Sequence, residues 1–504
     1  IVQVVIRNKA MNPNNNNYHQ DIHQSDTSNK TLNTNDNWIE KIWAWADEFE
    51  LKHSEIPRNK ESLLALKKLE ILEPEHDEQH SKDVYRIAYL PDELTNLTNL
   101  VDITISGICS SHLLPNIGKL TNLTKLSISH SKLVALPESI GQLSYLTELF
   151  IDQSELEALP DSIGQLHNLT KMFIGRCQIQ CLPDSIGQLT KLTVLDIVHC
   201  EIEELPDSIG QLINLAKLFI SYCPLKHLPD SIGQLKNLND LDLINCDLKD
   251  LPSSIGQLTN LNKLYINRCR IKELPASVGQ LSSLTELFIT HCELEELPDS
   301  IGQLLSLTHL DLLHLELTEL PDSFGHLINL AELNIINCKL KVLPDSIGQL
   351  VNLTKLNFNH SKLEVLPDSI GQLISLTELF ISHGKFDKLP DSVGQLTNLE
   401  KLYINHCSLK ELPEIIGQLK SLTEFFISYC KLGKLPNSIG ELNNLVKLEL
   451  VYCNLRNLPD SFTQLNSLRC INLTGNPLDR LSPRVKCYLR SIDTVYGWDK
   501  QSYS

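Results

Sequence analysis

The stretch L-P-D-S-I-G-Q-L-I-N-L-A-K-L-F-I-S-Y-C, Leu205 to Cys223, decides the fold, because its pattern returns every 23 residues along most of the chain. The repeat proline stands at 137, 160, 183, 206, 229, 252, 275, 298, 321, 344, 367, 390, 413, 436 and 459, with no insertion or deletion between copies. So short a unit cannot bury an apolar face alone; stacking on its neighbours does so, and the product is a solenoid. Within each unit x-L-x-I-x reads as a strand, with Leu and Ile inward and the alternating residues on the other face. P-D-S-I-G-Q reads as a short helical or 3₁₀ turn opened by proline, where an Asp or Ser oxygen is expected to take an orphan N–H.

Composition narrows the class. Of 504 residues, 42% are apolar but only 6% aromatic, which suits a core of Leu and Ile layers. No run approaches the ~18 apolar residues of a membrane span. Residues 1–10 place their basic residues after a very short apolar run, the reverse of a signal peptide, and Met11 is an alternative start. The net charge of −18 argues against nucleic-acid binding, which asks for a basic face. Twelve of the acidic residues stand directly after a repeat proline, so turn chemistry accounts for much of the excess. Steering of basic partners by this acidity stays open at this point.

Ten of fourteen cysteines share one column: Cys177, Cys200, Cys223, Cys246, Cys269, Cys292, Cys338, Cys407, Cys430 and Cys453. A thiol there packs as a small apolar group with a weak donor. Strands ~4.8 Å apart would put neighbouring thiols within reach of mispairing in an oxidising compartment. The spacing is not a zinc signature, which needs short Cys pairs. The column predicts reduced, structural thiols and a cytoplasmic protein.

Four regions follow. Residues 1–35 are a flexible segment, Asn-rich from residue 11. Residues 36–84 form a helical N-terminal cap, with helices at 36–52 and 58–65 and a strand at 66–71; Asn35 or Asp36 is the candidate helix cap, and three tryptophans are assigned to the cap's core. Residues 85–480 are repeats, with strands from 102–106 to 470–474 and about eighteen strands in all. Residues 481–504 are a C-terminal cap and tail with a helix at 483–493.

The repeat L-P-D-S-I-G-Q-L-x-x-L-T-x-L-x-I-x-x-C resembles the leucine-rich repeats of bacterial multi-repeat proteins, of Ras-suppressor-like and plant intracellular Ras-group proteins, and of plant disease-resistance receptors. The run Trp43-Ala44-Trp45-Ala46-Asp47 through Leu64-Ala65-Leu66 looks like the cap preceding such repeats in bacterial members. The resemblance covers about residues 38–493. It implies an α/β repeat solenoid, a horseshoe or superhelix with a parallel sheet on the concave face and short 3₁₀ or helical turns on the convex side. There is no G-x-x-x-x-G-K-[ST] loop, so the nucleotide switch of the resistance receptors has no counterpart.

Columns of strand residues carry the functional reading. The first runs Lys125, Glu148, Lys171, Val194, Lys217, Asp240, Lys263, Glu286 and onward to Lys447 with alternating sign, a structural ladder of cross-strand ion pairs. The second holds Phe150, Phe173, Phe219, Tyr265, Phe288, Phe380, Tyr403 and Phe426, interrupted by Asp196 and Asp242 and by a polar gap at Asp311, Asn334 and Asn357. Aromatics on a solvated sheet face are anchors for a partner. The column before the cysteines carries His360, His383, His406 and Tyr429 among other His, Tyr and Arg residues. Three imidazoles on successive strands could approach metal-binding distance, but a polar edge copied with the repeat is the preferred reading, and no metal or cofactor is assigned. The repeat at 309–321 departs from the pattern with Leu313, His314 and Leu315, suggesting a bend or contact. Asn-Leu-Thr triplets at Asn96, Asn122, Asn168, Asn352 and Asn472 match glycosylation sites formally but fall within the repeat pattern.

These readings predict a non-enzymatic scaffold or adaptor that binds a protein on its concave surface, with no nucleic-acid or membrane partner. Two alternatives stay open: a self-associating structural protein, drawn together by near-identical repeats and the apolar residues 1–6, and a bacterial effector acting in a host cytosol.

Overall fold

The computed structural model describes residues 37–72 and 87–498. The expected flexible segment with the apolar residues 1–6, the candidate caps Asn35 and Asp36, and the stretch 74–84 lie outside the described residues.

Two helices open the fold, α1 (Asn37–Glu48) and α2 (Lys60–Leu64). The strands are β1 (Lys68–Ile71), β2 (Asp102–Ser106), β3 (Lys125–Ser131), β4 (Glu148–Ser154), β5 (Lys171–Gly175), β6 (Val194–Val198), β7 (Lys217–Ser221), β8 (Asp240–Ile244), β9 (Lys263–Asn267) and β10 (Glu286–Thr290). They continue as β11 (His309–Leu313), β12 (Glu332–Ile336), β13 (Lys355–Phe358), β14 (Glu378–Ser382), β15 (Lys401–Asn405), β16 (Glu424–Ser428), β17 (Lys447–Val451) and β18 (Cys470–Asn472). Helix α3 (Pro483–Ser491) and β19 (Thr494–Tyr496) are the last elements among the described residues. Each strand pairs in parallel with the next, making one open 19-stranded sheet of a leucine-rich repeat solenoid. Register follows the repeat: Leu218 faces Leu241 and Phe219 faces Asp242.

The convex turns are 3₁₀ helices such as Asp207–Gln211, entered from Pro206 at φ −69 and ψ 151. The expected Asp or Ser cap is absent. Backbone closes the turn instead, Ile209 N donating to the Pro206 carbonyl at 3.0 Å, and the buried Ser208 hydroxyl has no protein partner. The repeat glycine answers a packing demand: a Cβ on Gly210 would lie 2.5 Å from the Ser231 carbonyl oxygen of the next turn.

Side chains tie repeats together between turn and strand. Asn214 Nδ2 donates to the Thr190 carbonyl at 2.7 Å, Asn237 to Ile213 at 2.8 Å, and Thr193 Oγ1 to Thr170 at 2.9 Å. Each such bond contributes about 1 kcal/mol. The Asn-Leu-Thr triplets at Asn122, Asn168 and Asn352 arise from these two ladders, and the Nδ2 of each is already engaged; Asn96 ends a 3₁₀ turn and Asn472 lies in β18.

Within a unit Ile209, Leu212, Leu215, Leu218, Ile220 and Leu225 are fully buried. The ladder cysteines are buried too, and Cys246 Sγ donates weakly to the carbonyls of Ile220 and Ile244, both at 3.6 Å. In the 309–321 repeat Leu315 fills the cysteine position and β11 stays in register, so the pairing there shows no bend.

The ends differ in detail from the sequence reading. Helix α1 stops at Glu48, short of residue 52, where Glu50 adopts φ 52. Ile39, Ile42, Trp45 and Ala46 are its buried face; Trp38 and Trp43 pack partly buried against the core. Helix α2 starts at Lys60 because Asn59 caps it, its Oδ1 accepting from Ser62 N at 2.7 Å. Helix α3 ends at Ser491, and the chain then pairs Cys470 with Thr494, a strand that repeat periodicity does not reveal.

Candidate protein-binding surface

Four rows of side chains line the sheet's solvent face, three from the strands and one from the residue before the cysteine. The first is the charge ladder. Lys171 pairs with Glu148 at 2.9 Å, Lys263 with Glu286 at 2.9 Å and Lys401 with Glu378 at 2.7 Å. It is not purely cross-strand: Lys447 bonds Glu449 of its own strand and sits 4.3 Å over the Phe426 ring. Such exposed pairs are worth ~0–1 kcal/mol each, so the row sets register more than stability.

The second row contains the predicted aromatics. Phe150, Phe173, Phe219, Tyr265, Phe288, Phe380, Tyr403 and Phe426 all face outward but are half-buried, correcting the expectation of an exposed apolar strip. They shield one another. Phe150 and Phe173 lie 6.4 Å apart, Tyr265 stacks on Phe288 at 4.5 Å, Phe380 stacks on Tyr403 at 4.7 Å, and Tyr403 meets Phe426 edge-on at 4.4 Å. Phe219 stands alone between Asp196 and Asp242. Burial pushes the Asp196 carboxyl up to about 6; burial, then the Asp240 charge, pushes Asp242 up to about 7. One Asp242 oxygen is buried without a hydrogen-bond partner.

A third row, from Ser221 and its equivalents, is mixed. It is apolar at Val198, Ile244, Leu313, Ile336 and Val451 and polar at Ser382, Asn405 and Ser428. Ser428 Oγ donates to Asn405 Oδ1 at 2.7 Å.

The fourth row has a backbone cause. From His130 to Tyr452 the residue before the cysteine position has φ between 47 and 62. Asn and His tolerate this left-handed region better than most side chains. The geometry lays the rings flat on one another. His360, His383, His406, Tyr429 and Tyr452 form a continuous stack with centroid spacings of 4.2, 5.1, 4.3 and 5.0 Å. All five are exposed, so the fourth row, not the second, presents the open aromatic surface. Face-to-face rings keep their nitrogens in successive parallel planes, a poor arrangement for converging on one ion. Among the described residues no group of three His, Cys, Asp or Glu side chains is disposed to hold a metal. Burial, then the charges of His360 and His406, holds His383 below its ordinary pKa.

Over β14–β16 three rows run side by side. Phe380, Tyr403 and Phe426 run beside Ser382, Asn405 and Ser428, and then His383, His406 and Tyr429. At the near end, a depression of about 560 Å³ is lined by Ile336, Asn359, His360, Ser382, His383, Asn405 and His406.

Comparison places this architecture. A family model described as a leucine-rich repeat region matches residues 173–247, 220–295, 241–335, 291–384 and 344–429. The chain belongs to the leucine-rich repeat family. A leucine-rich repeat protein of Leptospira interrogans is similar at 35% identity and TM-score 0.62, covering 72% of this chain and 93% of its own. The functional domain of InlJ from Listeria monocytogenes, described as including a cysteine ladder, matches at 22% identity and TM-score 0.52, over 71% of this chain and 74% of its own. TLR13 in its complex with ssRNA13 matches at 23% and TM-score 0.67, over 87% of this chain and 66% of its own. The latter two share the fold. No curated protein matches in sequence. Among the described residues no helix is long and apolar enough to cross a membrane.

Proposed function

We propose that this protein is a non-enzymatic scaffold that holds a protein partner on its concave face, centred on β14–β16. The carrying observation is the two parallel ring rows, Phe380–Tyr403–Phe426 and His383–His406–Tyr429, on the same three strands. Aromatic rings, Tyr among them, are the side chains in which interface cores and binding hot spots are enriched. A nucleic acid suits the surface poorly, since the net charge is −18. Ten buried, unpaired thiols suit a reducing compartment, which we take to be the cytoplasm; a host cytosol, as for an effector, would serve equally.

The test uses residues the repeat already carries. Asn245 and Asn337 occupy the fourth row at φ 53 and 54, so His383→Asn, His406→Asn and Tyr429→Asn remove the rings without straining the backbone. Asn334 and Asn357 license Phe380→Asn and Tyr403→Asn in the second row in the same way. Affinity capture from cell extract, compared by mass spectrometry between native and substituted protein, is expected to lose its principal partner on substitution. Unchanged capture overturns the concave assignment.

A further inference from the structure

The residue two places after each 3₁₀ turn lies on the rim where convex turn passes into strand. At Leu305, Ile328 and Ile374 the fold uses only the backbone: their carbonyls accept from Asn329, Asn352 and Asn398 at 2.7–2.8 Å. The side chain at this position is free to be polar, and Ser144, Thr190, Lys236 and Thr397 are so. Yet four successive repeats carry Leu305, Ile328, Val351 and Ile374, exposed by 54, 49, 42 and 59%. Packing gives no reason for this stripe, and contiguous exposed aliphatic surface marks interaction sites.

The same four turns begin with Asp299, Asp322, Asp345 and Asp368, all exposed. No Lys or Arg occurs in 299–306, 322–329, 345–352 or 368–375. Along the acidic row runs a depression of about 1090 Å³ lined by the four aspartates, Ser323, Ser346 and Ser369, His326, Gln349 and Gln372, with the aliphatic row outside its lining. A 3₁₀ turn rises ~2 Å per residue, so the rows stand on the order of 10 Å apart, about the width of an α-helix. Neighbouring turns are in direct contact, since a Cβ on Gly302 would lie 2.2 Å from the Ser323 oxygen, and the rows are therefore continuous.

We infer that this convex groove is a second docking surface, separate from the concave face, and that it takes an amphipathic basic helix of a partner protein. The helix lays its apolar side on Leu305, Ile328, Val351 and Ile374 and its Lys or Arg side chains along the aspartate row. A second copy of this chain fits less well, because each copy brings net negative charge.

The probe is an 18-residue Leu/Lys amphipathic helical peptide, measured by fluorescence anisotropy against the full chain. Leu305→Ser, Ile328→Thr, Val351→Thr and Ile374→Thr together, all residues other repeats carry there, are expected to weaken binding at least tenfold. Asp→Asn at 299, 322, 345 and 368 should weaken it and flatten its salt dependence. The Phe380→Asn/Tyr403→Asn pair should leave it unchanged, which separates this site from the concave one. Equal binding by the stripe variant, or by a scrambled peptide of the same composition, overturns the inference. So does sedimentation showing a native dimer that the stripe substitutions dissociate, because a second copy then covers the groove.

Discussion

His360 and His383 stand face to face, their ring centroids 4.2 Å apart and their planes 23° from parallel, each on a backbone at positive φ (57 and 62). One backbone conformation repeated at one-strand intervals is thus what builds the exposed ring column. Because left-handed backbone is costly for branched side chains, His383→Val should destabilise by about 1–3 kcal/mol, whereas His383→Asn should cost far less. Chemical denaturation of the two variants side by side checks this. The pKa of His383 is lowered in the fold, so its neutral form is favoured. That contribution is present above the ordinary imidazole range near 6.5 and is lost as pH falls below it. His383→Asn should reduce the loss of stability between pH 7 and pH 5.

Asp242 runs the other way. Its folded pKa is raised to about 7 by burial and by Asp240, above the ~3.9 of an unfolded aspartate. Its protonated form is favoured in the fold, so stability is fully present below about pH 4 and is lost as pH rises through 7. Asp242→Asn should therefore raise the melting temperature at pH 8 and change it little at pH 4. Equal shifts at both values would show that ionisation is not the cause.

Two glycines should respond differently to gaining a side chain. Gly302→Ala puts a methyl 2.2 Å from the Ser323 carbonyl oxygen and forces two turns apart, costing about 1–3 kcal/mol as overpacking does. Gly433 has φ 69 and nothing within 4 Å of a would-be Cβ. There Gly433→Asn should be nearly neutral, since only backbone conformation is at stake. Melting curves of both variants decide it.

The thiols should separate by depth. Cys109, Cys181 and Cys487 are exposed and Cys470 is intermediate, while the ten ladder cysteines are buried. Burial pushes Cys223, Cys338 and Cys430 up to about 11, leaving little thiolate at neutral pH. A thiol-reactive chromophore should label the three exposed groups rapidly, Cys470 more slowly, and the ten only at the rate of unfolding.

Much of this was legible from periodicity. The 23-residue spacing of proline and leucine placed β2–β18 almost to the residue, since every inward Leu and Ile recurs in phase. Where the repeat stops, so does its guidance: β19 follows a non-repeat helix, and only pairing with β18 makes it a strand. The serine after each Pro-Asp read as a cap, but Pro206 and its counterparts close the turn with backbone carbonyls and leave hydroxyls such as Ser208 stranded.

For the candidate surface, sequence columns identified which side chains share a row; the rows arise because strand side chains alternate and the register is unbroken. It could not show how far each row stands from solvent. Phe380 and Tyr403 cover each other, so the middle row sinks to half-burial. His383, His406 and Tyr429, lifted by positive φ, stay open. The stripe from Leu305 to Ile374 was equally present in the sequence, but it gains meaning only when the Asn ladder shows that the fold asks nothing of those side chains. Local periodicity determined the architecture, because each unit must bury the same leucines against its neighbours. Exposure and ring geometry were decided by the tertiary structure, because they depend on contacts between units 23 residues apart.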